Sequence, residues 1–86
     1  MIKVYTTSDC RFCAAAKALL TNRGYEFKEV EIYLEPDGIS QFQSAAPGAK
    51  TVPQITVGNI LIGGFDDLQM KIDTPLFKKF VENSNG

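Results

Sequence analysis

The sequence predicts an α/β fold, a four-stranded mixed sheet in the order β-α-β-α-β-β-α with helices on both faces and one extra helix at the end. Three observations predict it. A β-like run, Met1 to Thr6, leads through two cysteines into a stretch of helix formers without Gly or Pro. A second alternating run, Tyr25 to Tyr33, follows a helix stop at Asn22 and Gly24. Pro53 to Val57 and Ile60 to Ile62 then flank Gly58-Asn59, the pattern of a hairpin with a two-residue turn.

Taken in order, Ile2, Val4 and Thr6 alternate with Lys3 and Tyr5, which suits a first strand. Arg11 to Arg23 forms a helix with Cys13, Ala16 and Leu20 on one face and Ala14, Lys17 and Thr21 beside them. In the second strand Tyr25, Phe27, Val30 and Ile32 are the apolar positions. Their alternation slips once around Glu29, where an irregularity is expected. Pro36-Asp37-Gly38 is a turn or helix start, Ile39 to Ala46 a short helix, and Pro47-Gly48 its end. After the hairpin, Gly63-Gly64 interrupts and Phe65 to Ile72 is helical, with Asp66 and Asp67 in its first turn. Thr74 is the expected N-cap of a last helix and Pro75 its first residue; Leu76, Phe77, Phe80 and Val81 form its apolar face. The polar tail Asn83 to Gly86 is expected to fray. The first β-α-β unit should be parallel with a right-handed crossover, and the hairpin should add antiparallel strands.

The 86 residues are expected to form a single domain, 1–86. A hydrophobic fraction of 44% suits a globular chain. With a net charge of −1 and no basic stripe, a nucleic-acid partner is not suggested. The chain starts directly in a strand, without a charged and then apolar leader or a membrane-length apolar run. A cytoplasmic protein with no membrane partner is expected.

Cys10 and Cys13 carry the chemical interest. As a staple they are poor, because a disulfide across so short a segment closes almost no loop. A closed zinc site needs four ligands, and the chain has no third cysteine and no histidine. A site shared between chains or completed by an outside thiol stays open, as does plain packing of both sulfurs. A redox centre explains the location best. The free N–H groups and positive end of a helix starting near Arg11 stabilise a thiolate at Cys10. Arg11 adds a positive charge and Asp9 an opposing negative one. Cys13, one turn along, is close enough to attack a mixed disulfide on Cys10. A C-x-x-C beside a βαβ unit is itself a redox signal.

The chain resembles the glutaredoxins along nearly its whole length. The resemblance rests on Cys10-Arg11-Phe12-Cys13, on Ala16-Lys17-Ala18-Leu19-Leu20, on Thr51-Val52-Pro53-Gln54-Ile55 and on Ile62-Gly63-Gly64-Phe65-Asp66-Asp67-Leu68. It implies a thioredoxin-like fold and a glutathione-dependent thiol–disulfide oxidoreductase, with Cys10 as nucleophile and Cys13 as resolving thiol. It further implies that Pro53 is cis and faces the cysteines, presenting the backbone of Thr51 and Val52 to an extended substrate. Glycines let a backbone approach a ligand closely, and aspartates accept an ammonium. Taken alone, these residues also fit an ordinary capped helix; the resemblance implies that Gly64, Asp66 and Asp67 bind the γ-glutamyl end of glutathione and that Arg11 and Phe12 complete the glutathione contacts. No tightly bound cofactor and no metal is implied; glutathione is the electron-donating co-substrate. The implied partners are glutathione and client proteins with disulfides, ribonucleotide reductase being one that the family serves, and a monomer is expected.

Two departures from the family pattern stand out. Arg11-Phe12 replaces the common Pro-Tyr, and Thr7 stands where relatives often carry a basic residue; Lys50 or Arg11 is the candidate replacement. Two alternatives keep the same cysteines. One is a thioredoxin-like redoxin recharged by a flavoprotein reductase. The other is a dimeric binding module in which Cys10 and glutathione hold an iron–sulfur cluster.

Overall fold

The computed structural model describes residues 1–85. It contains β1 (Ile2–Thr6), α1 (Arg11–Asn22), β2 (Phe27–Glu31), α2 (Gly38–Ala45), β3 (Gln54–Val57), β4 (Ile60–Gly63), α3 (Phe65–Lys71) and α4 (Pro75–Asn85). The strands lie in the order β2-β1-β3-β4. β1 pairs with β2 in parallel and with β3 antiparallel, and β4 pairs antiparallel with β3. Mixed pairing of this kind is what a βαβ unit followed by a hairpin must give.

The register decides where a site can form. Tyr5, near the end of β1, lies opposite Gln54, the start of β3, and Ile55 lies opposite Gly63, the end of β4. The segments after Thr6, before Gln54 and after Gly63 therefore leave the sheet at the same end. The Cys10 turn, the Thr51–Pro53 segment and the start of α3 are brought together by strand pairing alone.

Alternation along β1 sends Ile2 and Val4 to one face of the sheet and Tyr5 to the other. On the first face they join Ile55, Val57 and Ile62 of the hairpin and Ala16 and Leu20 of α1. Leu68, Ile72 and Phe77 close this core from the last two helices and their junction. Each fully buried side chain of this size contributes roughly 1.5–3 kcal/mol relative to exposure. On the second face Tyr5, Val30, Ile32 and Phe42 make a smaller cluster, with the Tyr5 and Phe42 rings 6.0 Å apart. The start of α2 fits there only because residue 38 is glycine, since a Cβ would sit 2.5 Å from the Ile32 carbonyl oxygen.

The expected caps form. Gly24 takes φ +80° after α1, and the Tyr25 N–H donates to the Leu20 carbonyl. The Thr74 hydroxyl accepts from the Phe77 N–H at 3.3 Å, with Pro75 as the first helical residue.

Three local expectations are revised. β2 spans only Phe27–Glu31, not Tyr25 to Tyr33. Tyr25 lies before the strand with its ring packed edge-on against Phe77, 5.2 Å away, and Tyr33 lies in a turn. Around Glu29 the ladder with β1 runs without a shift, so the slip in alternation is a change of face. Phe27 packs on the first core and Val30 on the second, while Glu29 meets Thr6 and Lys17. A register shift does occur in the sheet, between Ile55 and Thr56. Finally, Asn83 to Asn85 belong to α4, where the Ser84 hydroxyl accepts from the Met1 ammonium at 2.8 Å. Gly86, the rest of that expected frayed tail, lies outside the described residues.

Candidate active site

Cys10 occupies the N-cap position of α1, with φ −106° and ψ 109°. Its sulfur accepts the Cys13 backbone N–H at 3.1 Å. This is the same use of a side-chain acceptor that Ser or Asp makes at other helix starts. The donor that caps the helix is also the donor that steadies negative charge on the sulfur when the disulfide is open. Asp9, just before, takes φ +56°, a left-handed conformation that aspartate tolerates better than most residues. Cys10 and Cys13 are joined as a disulfide with Cα atoms 5.2 Å apart, so the structure holds the oxidised pair.

The two sulfurs differ in surroundings. Cys13 is 2% exposed and shares the inward face of α1 with Ala16 and Leu20. Cys10 is only partly covered. Its sulfur lies 3.9 Å from the carbonyl oxygen of Val52. The Val52–Pro53 peptide bond is cis. Gln54 braces this segment, its side-chain amide donating to the Thr51 carbonyl at 3.2 Å.

Beside Cys10 runs a groove of about 430 Å³. Phe12, Thr51, Val52, Pro53, Gly64, Asp66 and Asp67, all singled out in the sequence, line it together with Gln54 and Phe65. Phe12 and Phe65 form its aromatic part, with centroids 5.9 Å apart and planes at 34°. The two aspartates are not equivalent. The Asp67 carboxylate accepts the Gly64 N–H at 3.2 Å, and a Cβ on Gly63, which takes φ +121°, would overlap that carboxylate. Asp66 is exposed on the groove. Arg11 is exposed and does not line the groove. Thr7 and Lys50 border a separate hollow on another side of Thr51 and Val52.

Gln54 and Phe65 were not singled out as site residues. Phe65 directly follows Gly63-Gly64 and precedes the two aspartates, and that spacing is the signal the sequence offers. A third feature is the Lys17–Glu29–Thr6 cluster under α1. The Glu29 carboxylate accepts from Lys17 at 2.9 Å and from the buried Thr6 hydroxyl at 2.7 Å. Partial burial pushes the Glu29 carboxyl up, but the hydrogen bonds from Lys17 and Thr6 and the lysine charge outweigh this. The group is held below its ordinary value. This ties the helix one turn beyond Cys13 to the end of β1 and to β2. Among the described residues no group of three or more His, Cys, Asp or Glu is placed to hold a metal ion. Among them, too, no helix is long and apolar enough to cross a membrane.

A vicinal cysteine pair at a helix N-terminus, one sulfur accessible and one buried, on a mixed sheet with helices on both faces, defines a dithiol redox protein. The profile of the glutaredoxin family matches residues 2–62. A glutaredoxin of Pseudomonas aeruginosa is 39% identical over 67 residues, covering 78% of this chain and 79% of that one. The solution structure of a glutaredoxin from Brucella melitensis superimposes with a TM-score of 0.74 at 33% identity, covering 99% of this chain and 90% of that one. The structure of NrdH-redoxin from Escherichia coli, described as a glutaredoxin-like protein with a thioredoxin-like activity profile, gives 0.68 at 27% identity, covering 86% and 95%. The chain belongs to the glutaredoxin family, has the thioredoxin-like fold, and is a thiol–disulfide oxidoreductase.

Proposed function

We propose that the protein reduces protein disulfides and glutathione mixed disulfides with electrons supplied by glutathione. The observation that carries this reading is the groove itself. It sets an accessible sulfur, the backbone of Thr51 and Val52, an aromatic pair and an exposed aspartate within reach of one small ligand. Glutathione has matching parts: a thiol for Cys10, a peptide backbone for Val52, and an ammonium for Asp66. Gly64 lets the ligand approach the backbone, and Asp67 fixes that glycine by holding its N–H.

The chemistry follows from the two sulfurs. The Cys10 thiolate attacks one sulfur of the substrate disulfide, forming a new S–S bond and expelling the other sulfur as a thiolate, which takes a proton from water. Cys13 then loses its proton and attacks the Cys10 sulfur. This forms the Cys10–Cys13 disulfide and expels the substrate's second thiolate. Two electrons have passed from the protein to the substrate. Two glutathione molecules reverse the process: one opens the disulfide as a mixed disulfide on Cys10, and the other removes it as glutathione disulfide. Substrates already carrying glutathione need only the Cys10 half of this sequence.

Turnover of a small mixed disulfide, coupled to glutathione and its reductase, tests the reading against the same assay coupled to thioredoxin reductase. Turnover with glutathione alone is expected. Turnover only with the flavoprotein couple would overturn it in favour of a second reading, a redoxin that bypasses glutathione. The similarity to NrdH-redoxin favours that second reading, as does Thr7 in place of a basic residue. The exposed Asp66 on the groove favours the first. We further place the protein in the cytoplasm as a monomeric single domain, 1–86, with disulfide-containing proteins, including ribonucleotide reductase, as candidate clients. Reducing conditions there suit a dithiol that must be recharged.

A further inference from the structure

Thr51 and Val52 border more than the groove. They also line a hollow of about 270 Å³ whose deep part is Ile32 and Phe42 and whose rim is Tyr33 and Ile39, with Ala49 and Lys50 alongside. Ile32 and Phe42 are nearly buried. Tyr33 is 73% exposed and Ile39 44%, and neither belongs to the two cores, so their apolar surface faces water in the free protein. Groove and hollow lie on two sides of Thr51 and Val52, which line both, and they differ in charge. The groove carries two carboxylates; the hollow holds one lysine and sets Ile32, Phe42, Tyr33 and Ile39 beside the polar Thr7 and Gln43.

The direction of a bound chain follows from the glutathione reading, on which this inference rests. With the ligand's ammonium at Asp66 and its sulfur at Cys10, its N-terminal side occupies the groove. Its C-terminal side then runs past Val52 into the hollow. Glutathione ends one residue after its cysteine, in a glycine without a side chain to fill that space. A protein client continues. We propose that the hollow receives apolar side chains from the one or two residues that follow the reacting cysteine in an extended client segment. The protein thereby selects clients whose cysteine is followed by leucine-sized residues. Rim positions such as Tyr33 and Ile39 gain by losing contact with water when the segment docks.

The test uses blocked peptides whose single cysteine carries a thionitrobenzoate mixed disulfide. Attack by the Cys10 thiolate on the peptide sulfur forms the Cys10–peptide disulfide and expels the coloured thiolate. Cys13 then expels the peptide thiolate and closes the protein disulfide. The protein is reduced beforehand with dithiothreitol, so the rate owes nothing to glutathione as donor. Peptides with two leucines after the cysteine should react about tenfold faster than peptides with two glycines there. They should also outpace peptides with the same leucines before the cysteine. Ile39→Ser should cut the advantage to about twofold and leave the rate with the thionitrobenzoate disulfide of 2-mercaptoethanol unchanged, which also reports that the variant folds. Equal rates for the three peptides, a preference for leucines before the cysteine, or an undiminished advantage in Ile39→Ser would each overturn the proposal. Failure of glutathione as electron donor would show in the coupled assay and leave this ranking unmoved.

Discussion

The two walls of the groove are built for different work. One is the start of α1, where Phe12 lines the groove, Cys10 beside it caps the helix with its sulfur and Cys13 is buried behind. The other is the Thr51–Pro53 segment and the Gly63–Asp67 turn, which hold no group able to make or break a covalent bond at neutral pH. They share a foundation, since α1 and α3 both pack on the larger core through Ala16, Leu20 and Leu68. The contrast separates reactivity from recognition, although both helices rest on the larger core and Val52 leans on the smaller one. A substitution on the first wall should change whether reaction occurs. One on the second should change how well a ligand is held.

The largest effect expected is from Cys10→Ser, which should abolish turnover of every disulfide substrate; residual turnover above about one per cent of wild type would reverse the roles of the two cysteines. Cys13→Ser should keep turnover of glutathione mixed disulfides and lose most activity on dithiol-dependent protein disulfides, as measured with both substrates in parallel. On the second wall, Asp66→Asn should raise KM for glutathione mixed disulfides roughly tenfold, on the order of a lost charge-assisted hydrogen bond, with kcat little changed. A fall in kcat at constant KM would break the separation of the walls.

The smallest effect concerns the foundation. Glu29→Gln should cost about 1 kcal/mol at pH 7, the scale of a partly exposed ion pair with one added hydrogen bond. Because the folded state holds the Glu29 carboxyl below its ordinary value, this stabilisation is complete above the unfolded value. It is lost as pH falls through the lower folded one. Urea midpoints of wild type and variant should therefore differ at pH 7 and converge as the pH falls below the folded value. A gap that persisted in acid would mean that the carboxylate charge is not what matters.

Much of this was legible in the sequence because it rests on local signals. The C-x-x-C at a helix start, the Gly58-Asn59 turn and the Thr74-Pro75 cap each have a short-range cause and stand where they were expected. What was misread depended on contacts far along the chain. Tyr25 looked like a strand residue because nothing nearby reveals that Phe77 receives its ring. Asn83 to Asn85 looked like a tail because the tie from Ser84 to Met1 spans 83 residues. Glu29 looked like a defect in alternation, whereas it is an inward polar residue whose partner, Lys17, sits on a helix. The groove residues were visible as motifs. That Gln54 braces Thr51 and that Phe65 stacks near Phe12 needed three dimensions.

The burial of Cys13 also bears on how the protein survives peroxide. An oxidant arriving from solvent meets Cys10 first and converts it to a sulfenic acid, the rung from which further oxidation becomes irreversible. Cys13 lies beneath, its Cα 5.2 Å from that of Cys10, and can condense with the sulfenic acid, releasing water and leaving the disulfide. The shielded sulfur would thus act as a fuse, reset when an outside thiol reduces the disulfide. Intact-mass measurement after brief peroxide exposure should find the protein lighter by two hydrogens rather than heavier by oxygens, and Cys13→Ser should reverse that outcome.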